Sequence, residues 1–151
     1  YLLDDAVLAV RAATRSGVVE GLGLTGARAL QKPGVAEVLA ERLAGKTRMP
    51  KDAIDRLASE TVLAFYDAYR AAAGRVLEND RISADVVDEC LARGCTYNAV
   101  TREFRAVDAA TVLNPAETDI EIARGAASIV GLLTSSNQTI LTRPVAGAGL
   151  D

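Results

Sequence analysis

The chain has 151 residues, 50% of them apolar, with a formal charge of -3 and an isoelectric point of about 5.1. Its 17 basic residues are scattered rather than massed, and no run reaches the roughly 18 consecutive apolar residues of a membrane span, so composition favours neither a nucleic-acid nor a membrane partner. Histidine is absent, which excludes Ser-His-Asp and Cys-His nucleophiles and any histidine-ligated zinc site.

The first residues do not follow the basic, apolar, small-residue order of a signal peptide, so a soluble, cytoplasmic protein of one domain is expected. Leu3 to Arg15 has helical apolar spacing, with Asp4 and Asp5 in the opening turn where the helix dipole favours negative charge. The chain starts at Tyr1, almost inside this helix and without an initiator methionine, and is expected to be a piece of something longer. Ser16 to Gly26 is glycine-rich. Gly17 is placed to end the first helix, and Gly21, Gly23 and Gly26 allow close turns before helix resumes at Ala27 to Gln31. Such a turn holds a phosphate on its backbone N–H groups or simply connects two elements, and its wording, G-L-G-L-T-G, fits neither a dinucleotide fingerprint nor a P-loop.

Lys32 to Gly34 breaks the run, Val35 to Leu43 reads as a short helix ending at Gly45, and Lys46 to Pro50 is a polar turn. Asp52 to Leu77 carries the longest amphipathic pattern, and Phe65, Tyr66 and Tyr69 fit its core stripe better than a base-stacking platform. Asn79 to Arg81 turns the chain, and Ser83 is placed to cap a helix over Ala84 to Ala92 that Gly94 stops. Cys90 and Cys95 are too few for a disulfide framework and lack C-x-x-C spacing; free thiols are the expectation, a metal or redox site the alternative.

Thr96 to Asn98 and Glu103 to Arg105 read as two arms of a hairpin turning through Ala99 to Arg102, with Tyr97 and Phe104 packed across it. Asn114 as cap, Pro115 in the first helical position and Glu117 in the third predict a helix whose stripe Ile120, Ala123, Ala127, Val130 and Leu133 faces the core. Gly125 to Ser128 and Gly131 give that helix a small-residue surface for close packing. Thr139 to Leu141 reads as a short strand needing the hairpin, another subunit or a further segment as partner, and 144–151 as a flexible tail. The fold class expected is mainly α: a helical bundle with a small β-hairpin or short sheet, over 1–143.

Four blocks in order, D-D-A-V-L-A-V-R-A-A from Asp4, S-G-V-V-E-G-L-G from Ser16, Y-N-A-V-T-R-E-F from Tyr97 and V-L-N-P-A-E-T-D-I-E-I-A-R-G-A-A-S-I-V-G-L-L from Val112, resemble the C-terminal half of the equatorial domain of group I chaperonins, the GroEL family. The likeness is strong over Asp4 to Gly23 and Arg93 to Leu141 and faint over Leu24 to Arg81. It implies a partial equatorial-like domain and a part in ATP-dependent protein folding, with ATP and Mg2+ as cofactors, one side of the nucleotide site, and ring contacts between subunits. Unfolded clients and a co-chaperonin would be reached only through domains this chain does not contain.

By that resemblance Asp5 looks like the catalytic aspartate that orients the attacking water, although it also simply begins a helix. Gly21 and Gly23 look like nucleotide-facing glycines, with Leu22 departing from the middle glycine of the pattern. Asn98 and Ala99 look like adenine-edge contacts, Val112 like an apolar wall beside the base, and Asn114 stands where an aspartate usually meets the ribose. The family's G-D-G-T-T phosphate loop is not present, and no metal ligand is assigned. The competing expectation is a non-catalytic helical structural or interaction module derived from a chaperonin. Self-association is expected through the strand Thr139 to Leu141.

Overall fold

Apolar residues at helical spacing, broken by glycine and proline, produce a mainly helical chain in the computed structural model, which describes residues 2–106 and 112–135. In order these are α1 (Leu2–Ser16), β1 (Val18–Glu20), α2 (Leu24–Leu30), α3 (Val35–Ala44), α4 (Lys51–Asn79), α5 (Asp85–Arg93), β2 (Cys95–Asn98), β3 (Glu103–Ala106), β4 (Leu113–Pro115) and α6 (Ala116–Ser135). Two antiparallel ribbons, β1 with β4 and β2 with β3, carry the strand content. The expected strand Thr139 to Leu141 and the tail lie outside the described residues. The chain divides into two units, Tyr1–Asp119 and Ile120–Asp151.

The β2–β3 hairpin has the expected register. Tyr97 faces Phe104, their ring centroids 5.2 Å apart and edge to face, and the Arg93 guanidinium lies over Phe104. Gly94, at φ 66, stops α5 in a left-handed turn as its position predicts. Ser83 Oγ accepts the Asp85 N–H at 3.3 Å, so it serves the start of α5 from just outside it.

In the first unit the larger core joins Leu24 of α2, Ala73 and Leu77 of α4, Val87 and Cys90 of α5 and Tyr97 of β2. A smaller cluster, Ala40, Ile54 and Ala58, seals α3 against α4. The long stripe expected of α4 is buried only in part: Leu57, Phe65 and Val76 are exposed, while Ile54, Ala58, Ala73, Gly74 and Leu77 are buried. The cause is length, since α4 has 29 residues and its neighbours α2 and α3 only 7 and 10. Tyr69 is half-buried against Gly26, where an added Cβ would lie 2.5 Å from the ring.

An ion pair between buried Glu20 and half-buried Arg28 ties this unit together. Arg28 Nε of α2 lies 2.6 Å from Glu20 Oε1 of β1, although the N–H does not point along that line as a hydrogen bond requires. Arg28 Nη2 donates to the Cys90 and Cys95 carbonyls at 3.1 and 2.6 Å, reaching the C-terminal end of α5 and the first residue of β2. A guanidinium with several donors in one plane suits such branched contact. Outside the core, Arg70 of α4 forks onto Asp88 of α5, and this hydrogen-bonded pairing holds the Asp88 carboxyl below its ordinary range.

The start of α6 departs from expectation. Asn114 and Pro115 are not its cap and first residue but belong to β4, pairing with Val19 and Val18. The first helical amides are satisfied across the chain: Ala116 N donates to Gly17 O at 3.1 Å and Glu117 N to Ser16 Oγ at 3.1 Å. Because Ser16 at the end of α1 and Gly17 just after it supply these acceptors, the chain preceding α6 is free to pair as a strand. In the second unit α6 buries none of its side chains, so the expected core stripe is corrected: Ile120, Val130 and Leu133 are exposed, as are Ile122, Ile129 and Leu132.

Cys90 and Cys95 are free and buried, and burial, reinforced by the neighbouring Cys95, pushes the Cys90 thiol up to about 12. Alkylation at mildly alkaline pH should therefore label neither thiol until denaturant opens the core, and immediate labelling of the native protein would contradict this packing. Replacing Arg28 by Met leaves the Glu20 carboxylate buried without its counter-charge, which should cost about 3–5 kcal/mol in urea unfolding. Most of that loss should return in the double variant Glu20→Leu/Arg28→Met.

Candidate functional site

Residues nearly a hundred positions apart meet where β1 leads into the glycine turn. Gly21 N donates to Val112 O at 2.9 Å, extending the β1–β4 ribbon by one bond. The approach is so close that a Cβ on Gly21 would stand 2.7 Å from Val112 Cγ1 and 3.1 Å from its carbonyl oxygen. Glycine is thus required here by contact rather than by conformation. Two residues on, Asn114 of β4 donates through Nδ2 to Asp119 Oδ1 at 3.1 Å, and the second Asp119 oxygen is buried without a hydrogen-bond partner among the described residues. Burial, with the Asp119 carboxylate as the lesser cause, raises the Tyr69 hydroxyl above its ordinary range.

Leu22 and Gly23 both hold positive φ, 63° and 72°. A left-handed leucine costs about 1–2 kcal/mol, so the departure from glycine at this position carries strain. The side chain offsets part of it by packing on the larger core. The Gly21 N–H is engaged by Val112, and the Leu24 N–H makes a long 3.4 Å bond to Gly21 O, so these two donors of the glycine-rich segment turn into the chain.

Asn98 and Ala99 form the corner of the hairpin. Asn98 Oδ1 accepts Val100 N at 2.9 Å and Thr101 N at 3.2 Å, so its carbonyl shapes the turn, and Ala99 packs on the same core cluster as Leu22. Asp5 lies exposed in the first turn of α1. Eleven residues separate it from Ser16, about 16 Å of helix rise. The structure therefore brings Gly21, Val112 and Asn114 onto one ribbon, shares one core between the glycine turn and the Asn98–Ala99 corner, and holds Asp5 near the far end of α1.

Two clefts lie elsewhere in the first unit. One of about 700 Å3 runs between α3 and the start of α4, and another of about 430 Å3 lies along Ala6, Val7, Val10, Arg11 and Thr14 of α1. None of the residues expected to meet nucleotide lines either cleft. Among the described residues no three His, Cys, Asp or Glu side chains gather to hold a metal ion, and no helix is long and apolar enough to cross a membrane. No role for Glu20, Arg28 or Asp119 is legible in the sequence. Glu20 with Arg28 and Asp119 with Asn114 match no motif spacing, and the carbonyls that Arg28 also reaches lie more than sixty positions further along the chain.

Comparison with models of known protein families finds none that matches the chain. The ribbon contact itself is open to test. Gly21→Ala should destabilise the protein by about 1–3 kcal/mol, the range for overpacking. Adding Val112→Ala should recover the part due to Cγ1 and leave the part due to the carbonyl, as measured by urea unfolding of the single and double variants.

Proposed function

We propose that this chain is part of a chaperonin-type equatorial domain and contributes one wall of an ATP site within a longer or assembled cytoplasmic protein. The observation that carries this reading is the meeting of Gly21 with Val112 on the ribbon that also holds Asn114. These residues come from two separate blocks of the resemblance, and a site wall needs both at one place. The exposed apolar faces of α1 and α6, Leu3, Val7 and Val10 on one and Ile122, Ile129 and Leu133 on the other, agree with a piece whose complement covers them. Self-association and subunit contacts belong to the same proposal.

In this reading Val112 offers an apolar side chain to a base and Asn114 an amide to a sugar hydroxyl, once Asn114 exchanges its bond to Asp119 for one to the ligand. Asp5 would act by orienting water, which phosphoryl transfer requires more than covalent chemistry. It would do so only with the phosphates carried to the N-terminal end of α1 by groups outside this chain. Any Mg2+ would come with the nucleotide, since the described residues offer no cluster for it.

A second reading, a non-catalytic interaction module derived from the same scaffold, has its own support. Asn98 Oδ1 is committed to the hairpin turn, the Asn114 amide to Asp119, and Leu22 puts a side chain where glycine would leave room. Calorimetric titration with Mg-ATP, alongside a phosphate-release assay on the longest natural form of the protein, separates the two. The ATP-site reading expects saturable binding and turnover lost by at least about tenfold in Asp5→Ala with binding largely retained, as for a residue acting only on the transition state. No heat of binding at millimolar nucleotide would favour the silent module.

A further inference from the structure

The cleft between α3 and α4 belongs to none of the residues discussed for nucleotide, and its chemistry is distinct. Its floor is apolar and made of small side chains: Ala36, Ala40 and Ala44 recur at one-turn intervals along α3, opposite Ile54 of α4. Ala40 and Ile54 of this floor belong with Ala58 to the smaller buried cluster, so the floor is backed by packed side chains. Around it stand the carboxylates Glu37, Glu41 and Asp55, with Lys51 as the cation among the lining residues and Lys46 and Arg48 exposed in the adjoining turn. The three acids are exposed, and none enters an ion pair among the described residues.

Size and charge together select the occupant. A trough about 700 Å3 in volume beside α3, a helix of 10 residues, has room for helical side chains lying along it. Alanine at every fourth position lets a second helix axis come close. Acids in the same i, i+4 relation on α3 present a matching row for basic side chains one turn apart. We propose that this groove receives a short basic amphipathic helix of a partner protein, with its apolar side chains on Ala36, Ala40, Ala44 and Ile54 and its lysines or arginines against Glu37, Glu41 and Asp55. Helix-in-groove recognition of this type reads apolar anchors at i, i+3 or i+4 and i+7 and takes its specificity from the flanking charges. Met49, exposed at the lip, adds an adaptable apolar contact.

The test uses the full chain and a fluorescein-labelled synthetic helix of about four turns, with leucines at i, i+4 and i+7 flanked by lysines. Anisotropy should show saturable binding that weakens at least about tenfold in Glu37→Gln/Glu41→Gln, and again as salt is raised, because exposed charges are screened. Ala44→Phe, which fills the trough from an exposed position, should abolish binding while circular dichroism remains unchanged. Three results would overturn the proposal: no saturation at high micromolar peptide, equal binding of the same helix with glutamates in place of lysines, or full displacement by spermine at matched charge. The last would make the groove a site for small organic cations.

Discussion

The first unit depends on a charge placed where charge is expensive. Glu20 is buried at the end of β1, and a carboxylate taken out of water there needs a counter-charge to offset its lost hydration. Arg28 supplies the partner from the next helix and, in doing so, touches the carbonyls of Cys90 and Cys95. One guanidinium thereby fixes the distance between β1, α2, the end of α5 and the start of β2. The apolar core forms around that arrangement: Leu24, Val87, Cys90 and Tyr97 come from the elements the guanidinium links or adjoins. Hydrophobic burial supplies most of the stability in such a unit, but it is non-directional. The ion pair and its branches add direction.

How much of this was legible in the linear chain depends on whether its cause is local. The α5 stop at Gly94, the Tyr97–Phe104 hairpin and the long α4 were readable because turn chemistry and apolar period act over a few residues. At the start of α6 the local signal and the fold disagree. Asn114, Pro115 and Glu117 spell a capping sequence, yet the acceptors for the first amides come from Ser16 and Gly17, and the nominal cap is drawn into a ribbon with Val18 and Val19. Local propensity lost to a long-range pairing that no window of the sequence contains. The short β1 went unread for the same cause, since three residues make a strand only when β4 arrives beside them.

The candidate site divides along the same line. Glycines at 21 and 23 were singled out for closeness to a ligand, and the structure gives the first a nearer neighbour in Val112 and the second a left-handed turn. Asn98 and Asn114 were singled out for hydrogen bonding to a base and a sugar, and each amide bonds within its own chain. The residue types are right for polar recognition. What the sequence does not convey is that these amides already have partners within the fold, the turn backbone for Asn98 Oδ1 and the Asp119 side chain for Asn114 Nδ2, so a ligand that takes either atom displaces an existing bond.

The joint between α1 and α6 bears on the order in which the chain folds. Ser16 Oγ donates to Ala12 O at 2.9 Å while accepting the Glu117 N–H, so a single hydroxyl closes one helix and opens another 101 positions away. Gly17 repeats the pattern with its peptide group, donating to Ala13 O and accepting from Ala116 N. Closing a loop of that length is entropically costly, though the cost grows only logarithmically with length, and it must be met before the contacts that reward it exist. The helical hairpin of α3 and α4 and the β2–β3 turn, whose contacts are nearer in sequence, are free to form beforehand. The joint is then a late seam, and the first turn of α6 gains its definition only when the beginning of the chain has come back to meet it.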